Sequence, residues 1–177
     1  MSKKTFRSYC LKRLKFYSRV SNIKSDRLIC STILDIINLH KPKKLLVYIP
    51  LNIEVDINYL IKYLRRFTKI DIFVPYMKGK SFVAVKYRLP LKKKKFGIKE
   101  PNISFSYRTI KFDMVIVPIV GIDATYRRIG FGAGMYDRFF ETLPTKPITL
   151  FTQRVLCKTD KTVTSDYDIK PDYIITK

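Results

Sequence analysis

The sequence predicts an α/β fold built on a mostly parallel sheet. Helical and extended patterns alternate along the 177 residues. Several extended runs, Leu45-Leu46-Val47-Tyr48-Ile49 and Asp113-Met114-Val115-Ile116-Val117-Pro118 among them, are almost continuously apolar. Strands covered on both faces have this composition, whereas a half-exposed strand would alternate. No internal repeat or low-complexity linker divides the chain, so residues 1–177 are expected to form a single domain.

The elements follow in order. Lys3 to about Tyr17 reads as a short basic helix. Ser25 to Leu39 follows, with Leu28, Ile29, Ile33, Ile36 and Ile37 on one face and Pro42 as its stop. The strand at 45–49 is closed by Pro50. Ile57, Leu60, Ile61 and Leu64 recur at helical spacing behind Asp56, a natural N-cap. Asp71 to Pro75 is a strand, and Ser81 to Arg88 alternates as another after a Lys78-Gly79-Lys80 turn. Residues 89–111 read as irregular; they hold the run Lys92-Lys93-Lys94-Lys95 and the stretch Gly97-Ile98-Lys99-Glu100-Pro101. After the strand at 113–118 come a loop, a glycine cluster, and a helix marked by Met135, Tyr136, Phe139, Phe140 and Leu143. Pro147 to Phe151 and Tyr173 to Thr176 are the final strands.

Composition narrows the function. Hydrophobic residues make up 46% of the chain, which excludes a disordered polymer. No apolar run approaches the ~18–20 residues that cross a bilayer, and the basic N-terminus is not followed by an apolar signal segment. A cytoplasmic protein with no membrane partner is expected. Thirty-six basic against fourteen acidic residues give +22. The lysines are dispersed, and no helix-turn-helix, zinc-finger or aromatic RNA-binding signature accompanies them. The field suits small polyanionic substrates better than a specific nucleic-acid partner. Cys10, Cys30 and Cys157 are widely spaced and read as buried free thiols; with His40 as the single histidine, no zinc cluster is visible.

Half of the six glycines fall within Gly130-Phe131-Gly132-Ala133-Gly134. Arg127 and Arg128 precede them and Tyr136-Asp137-Arg138 follow. Glycines let backbone N–H groups approach a ligand closely, and a helix start adds unpaired donors, which suits a phosphate. There is no Gly-Lys-Ser/Thr, and Met135 stands where a dinucleotide fingerprint wants a glycine, so neither of those phosphate loops is present. In parallel sheets ligands bind beyond the carboxyl ends of the strands. Two loops qualify: one after strand 45–49, holding Glu54, and one after strand 113–118, holding the glycines.

The stretch Val117 to Asp123, then Arg128-Ile129-Gly130-Phe131-Gly132-Ala133-Gly134-Met135-Tyr136-Asp137-Arg138, resembles the signature of the 5-formyltetrahydrofolate cyclo-ligase family. So do the Lys3-x-x-x-Arg7 start, Glu54-Val55-Asp56, the Gly97 to Pro101 loop, Gln153, and Asp168-Ile169-Lys170-Pro171-Asp172. Six short motifs in order, at the right spacing, cover nearly the whole chain. The resemblance implies a three-layer α/β/α fold like that of the NagB/RpiA/CoA-transferase group. It implies ATP- and Mg²⁺-driven cyclisation of 5-formyltetrahydrofolate to 5,10-methenyltetrahydrofolate by a monomer, with release of ADP and phosphate. Polyglutamylated folate, with its anionic tail, fits the surplus of lysines.

The same resemblance assigns residues. Lys3, Lys4, Thr5, Phe6 and Arg7, with Arg128, Ile129, Gly130, Phe131, Gly132, Ala133, Gly134, Met135 and Tyr136, would bind ATP, and Arg128 and Tyr136 would be catalytic. Arg7, Ile49, Glu54, Phe131 and Met135 would bind the folate, and Asp137 and Asp168 would hold the metal. Read without the family, Asp137 is equally a helix N-terminal acid and Asp168 a turn residue. Two residues depart from the pattern. Met135 replaces a tyrosine, and Ala133 stands where glycine or lysine is frequent, a change tolerated if its φ is negative. The competing readings are a basic nucleic-acid-binding module and a relative that binds nucleotide without turnover.

Overall fold

The computed structural model describes residues 1–93, 99–101 and 110–177. Helix α1 spans Lys3–Tyr17, α2 Ile23–His40, α3 Asn58–Phe67 and α4 Met135–Glu141. The strands are β1 Lys44–Leu46, β2 Asp71–Lys78, β3 Ser81–Lys86, β4 Leu91–Lys93, β5 Lys99–Pro101, β6 Met114–Pro118, β7 Gly121–Ile122, β8 Arg128–Ile129, β9 Ile148–Thr152 and β10 Tyr173–Ile175. Six form the central sheet in the order β10-β9-β6-β1-β2-β3, parallel except for β3, which runs antiparallel to β2 at the edge.

Alternate residues of each strand enter opposite cores, as the pleat requires. Leu45, Val47, Ile72, Val74, Met114, Ile116 and Leu150 pack with Ile29, Ile33 and Ile37 of α2 and Leu60, Ile61 and Leu64 of α3. Their neighbours Leu46, Phe73, Val115, Val117 and Phe151 pack on the other face with Phe139 of α4 and with Phe82 and Phe112. Helices on both faces explain the continuous apolar runs and make the three expected layers. Helix α1 seals a third cluster, in which Phe6, Cys10 and Leu14 meet Val120, Ile129 and Cys157.

Several expectations need correction. Cys10 and Cys157 are not free thiols; they form a disulfide with Cα atoms 5.8 Å apart. Their separation of 147 residues hides the pairing, which arises because α1 lies across the loop after β9. Cys30 is free and buried as expected. Residues 89–111 are not wholly irregular, because β4 and β5 pair as an antiparallel ladder. Gly97, Ile98, Lys94 and Lys95 lie outside the described residues. The β7–β8 pair was not anticipated, since two-residue strands carry no periodicity. The N-cap of the third helix is Ile57 and not Asp56; Asp56 lies one residue earlier, and its Oδ1 accepts from the Asn58 backbone N–H at 2.9 Å.

The strand order reverses between β1 and β6, its innermost parallel pair. The loops leaving these two strands part there and open a crevice at the carboxyl end of the sheet, as the topology dictates.

Candidate active site

A cavity of about 410 Å³ fills that crevice. Tyr48, Ile49, Leu51 and Glu54 line it from the loop after β1, with Pro75, Met77 and Phe82 from β2 and β3. Pro118, Arg128, Phe131, Ala133, Gly134, Met135 and Tyr136 line it from the β6 side. The wall is mainly apolar with a few convergent polar groups, the usual make-up of a small-molecule site. Both loops expected from the sequence therefore contribute.

The glycine segment wraps charged side chains. Gly132 and Gly134 have φ of +109° and +61°, a region that favours glycine. Ala133 between them is not left-handed, which explains its tolerance. Gly130 matters for another reason: a Cβ there would lie 1.9 Å from an Arg128 guanidinium nitrogen, so any side chain would displace that group. Arg128 is 4% exposed. Its guanidinium carbon sits 5.2 Å from the centroid of the Tyr136 ring, and its nearest carboxylate, Asp137, is 3.9 Å away. Arg128 Nε and Asp137 Oδ1 are both buried without a hydrogen-bond partner. Buried ionic groups are normally satisfied, so this pair is poised for something else.

Helix α1 reaches the same place. Arg7 Nε donates to the Gly130 carbonyl at 2.8 Å. One turn earlier, Lys3 Nζ pairs with Asp168 Oδ1 at 2.5 Å, while Asp168 Oδ2 accepts from the Ser165 backbone N–H and hydroxyl. Thr5 belongs to the helix cap, its N–H donating to Ser2 Oγ at 3.1 Å. Lys4 is exposed, whereas Phe6 and Ile129 are core residues. Of the expected phosphate-side residues, the structure thus gathers Lys3, Arg7, Arg128 and the 130–136 backbone, and turns Phe6 and Ile129 inward.

Asp137 offers a hard, unpaired oxygen beside the glycine backbone, the donor chemistry a Mg²⁺ ion takes. Both oxygens of Asp168 are already engaged. Among the described residues no group of three or more His, Cys, Asp or Glu side chains is placed to hold a metal. A cation here would depend on oxygens brought by a ligand, which is how Mg²⁺ accompanies phosphates.

On the opposite wall, Glu54 Oε2 accepts from the Leu51 N–H at 2.8 Å. Burial raises its pKa to about 7, against the lowering effects of that hydrogen bond and of Arg128 and Arg154. The Tyr136 hydroxyl is pushed up by burial and by Glu54, against Arg128. Tyr48 is buried; its hydroxyl donates to the Val55 carbonyl at 2.9 Å and lies 3.1 Å from Thr152 Oγ1.

Sequence reasoning missed Arg138, although it lies within the motif. Its Nε donates to the Lys80 carbonyl at 3.0 Å and its Nη2 to the Lys80 and Ala133 carbonyls, fastening the glycine loop to the β2–β3 turn. It missed Tyr48, Pro75, Met77 and Phe82 as walls, because residues in or just past a strand give no local sign of which way a cavity lies. Two motif residues prove architectural. Buried Glu100 accepts from the Met77 N–H at 3.0 Å, and buried Gln153 bridges the Val120 carbonyl and the Cys157 N–H. No helix among the described residues is long and apolar enough to cross a membrane.

A profile of the 5-formyltetrahydrofolate cyclo-ligase family matches residues 1–175. The fold matches an NMR structure of Aquifex aeolicus 5,10-methenyltetrahydrofolate synthetase with a TM-score of 0.79 at 24% identity, over 99% of this chain and 90% of that one. It matches the 5,10-methenyltetrahydrofolate synthetase from Mycoplasma pneumoniae with a TM-score of 0.76 at 19% identity, over 99% and 98% of the two chains. At these identities the likeness speaks for the fold, and the family rests on the profile. Comparison with curated protein sequences finds no match.

Proposed function

The chain belongs to the 5-formyltetrahydrofolate cyclo-ligase family, and from that premise we propose that it closes 5-formyltetrahydrofolate to 5,10-methenyltetrahydrofolate, using MgATP and releasing ADP and phosphate. An amide-like formyl oxygen is a poor leaving group. In the proposed route that oxygen attacks the γ-phosphorus as the bond to ADP breaks. The folate N10 then attacks the activated carbon and loses its proton, and phosphate departs with the former formyl oxygen. The protein's share is positioning and charge neutralisation.

The observation that carries this reading is the glycine segment at the mouth of an apolar cavity: Gly130 lies against a buried, incompletely paired Arg128, and left-handed Gly132 and Gly134 lie against Arg7 and Arg138. The 130–134 backbone and Arg128 bind phosphate oxygens, with Arg7 and Lys3 from α1 on the same side. Tyr136 holds the Arg128 guanidinium against its ring. Asp137, with Asp168, would hold a Mg²⁺ ion, which would supply neutralisation of phosphate charge. Glu54 accepts from the donor-rich edge of the pterin, between the walls formed by Ile49, Phe131 and Met135. The nucleotide substrate is available in the cytoplasm, where we place the enzyme as a monomer. The lysine surplus favours folates carrying a polyglutamate tail.

Purified protein mixed with 5-formyltetrahydrofolate and MgATP is expected to develop the methenyl-folate absorbance band, with one ADP per product. No band and no ADP would overturn the assignment.

A further inference from the structure

Loops that carry functional side chains need anchoring, and the loop bearing Glu54 is anchored from outside the cavity. Arg154, just past β9, makes a two-pronged pair with Asp26 in the first turn of α2: Nε to Oδ1 and Nη2 to Oδ2, both 2.8 Å. Both side chains are buried, and neither lines the cavity. The remaining prong, Arg154 Nη1, donates to the Asn52 carbonyl at 2.9 Å. Asp26 Oδ2 in turn accepts from the Asp56 N–H at 3.0 Å. The pair therefore grips the loop two residues before and two residues after Glu54.

We infer that Arg154 and Asp26 are positioning residues, a clamp that sets the 51–56 loop so that Glu54 meets the pterin. The inference rests on the reading of Glu54 as a folate-binding group. The geometry favours a clamp over a general brace. A buried ion pair adds little net stability compared with apolar residues of similar size. This one spends its spare donor and acceptor on the backbone either side of one cavity carboxylate. A planar guanidinium makes all three bonds at once; an ammonium, a point charge, cannot.

The clamp also places a cation near that carboxylate. The groups facing Glu54 are Arg128 from β8, Arg154, and the hydroxyls of Tyr48 beyond β1 and Tyr136 on α4. Removing Arg154 takes away one of three lowering influences on the Glu54 titration, leaving the Leu51 hydrogen bond and Arg128.

Steady-state kinetics on Arg154→Met, Arg154→Lys and Glu54→Gln test this. Arg154→Met is expected to raise the KM for 5-formyltetrahydrofolate about tenfold and leave the KM for MgATP within twofold. It should also move the Glu54-dependent limb of the pH profile to higher pH. Arg154→Lys should raise the folate KM severalfold with that limb unmoved, separating geometry from charge. If Glu54→Gln raises the folate KM while both Arg154 variants leave it unchanged, the clamp is refuted and the Glu54 reading stands. If Glu54→Gln itself changes nothing, the Glu54 reading fails and the clamp with it. Amide hydrogen exchange in the unmodified protein bears on the clamp even if the variants misfold. Strong protection of the Asp56 N–H supports it, and exchange at the rate of an open loop overturns it.

Discussion

The β7–β8 hairpin and the glycine segment adjoin in sequence, yet they treat buried charge in opposite ways. In the hairpin, Asp123 is fully buried and accepts from six donors. Burial alone would raise its pKa. The Thr164 and Thr125 side chains and the Val163 and Thr164 N–H groups outweigh burial and hold the carboxyl well below its usual range. On the two flanks of the glycine segment, Arg128 at the end of the hairpin and Asp137 in α4 stand 3.9 Å apart, each with a buried polar atom unpaired. The first arrangement is complete without a ligand and fixes the backbone; the second is left incomplete. Buried groups are expected to be satisfied in a finished structure, so the contrast separates a carboxylate that holds the fold from a pair that the proposed function leaves open for substrate.

Substitutions at the two sites should therefore fail differently. Asp123→Ala strands several buried donors and should cost about 3 kcal/mol or more of stability, read as a large fall in Tm. Arg128→Ala removes a buried cation whose desolvation is poorly compensated, and should lower Tm much less than Asp123→Ala does. Its turnover should nonetheless fall well over tenfold, more than ~1.4 kcal/mol in the barrier. Asp137→Asn should behave like Arg128→Ala. A fall in Tm for Arg128→Ala matching that of Asp123→Ala, with turnover preserved, would erase the distinction. Gly130→Ala sharpens it: the added methyl displaces the Arg128 guanidinium, so turnover should fall as in Arg128→Ala although no charge is lost.

The contrast also marks what the sequence could convey. The continuous apolar runs told of a sheet buried on both faces, because burial on two sides leaves a local trace in Met114 to Pro118. The glycines announced one wall of the cavity, since left-handed φ restricts residue choice at Gly132 and Gly134. The satisfaction of Asp123 left no such trace: its partners Val163 and Thr164 lie some forty residues on, in a loop of ordinary composition. The Cys10–Cys157 bridge and the Arg154–Asp26 pair escaped for the same reason, being joined only by the packing of α1 and α2 on the loop after β9. Arg138 was visible but mute, because nothing local says that a guanidinium reaches the carbonyl of Lys80.

Glu54 lies between the two extremes, half satisfied and with a pKa raised to about 7. A carboxyl whose folded pKa is raised contributes stability below its unfolded value, near 4.5, and that contribution is lost as pH rises through about 7. Folate binding should have the opposite slope, since the ionised carboxylate is the better acceptor for the pterin. The KM for 5-formyltetrahydrofolate should fall severalfold as pH rises from 6 to 8, and Glu54→Gln should flatten that limb. A limb that persists in Glu54→Gln would assign the titration to another group.

The smallest effect tests the folate wall rather than the charges. Met135 opens α4 and lines the cavity where the family pattern places a tyrosine. Its backbone carbonyl accepts from Ser81 Oγ at 3.3 Å, a contact any side chain there would keep. Methionine adapts to an irregular gap but offers no planar face. An aromatic ring stacked on a flat ligand adds about 0.5–1.5 kcal/mol. Met135→Tyr should thus lower the KM for 5-formyltetrahydrofolate roughly two- to tenfold. The KM for MgATP should hold, because the phosphate side depends on the glycine backbone and Arg128 rather than on this side chain. If the MgATP constant moved instead, position 135 would belong to the nucleotide, and the boundary between the satisfied wall and the waiting charges would have to be drawn one residue nearer the cavity.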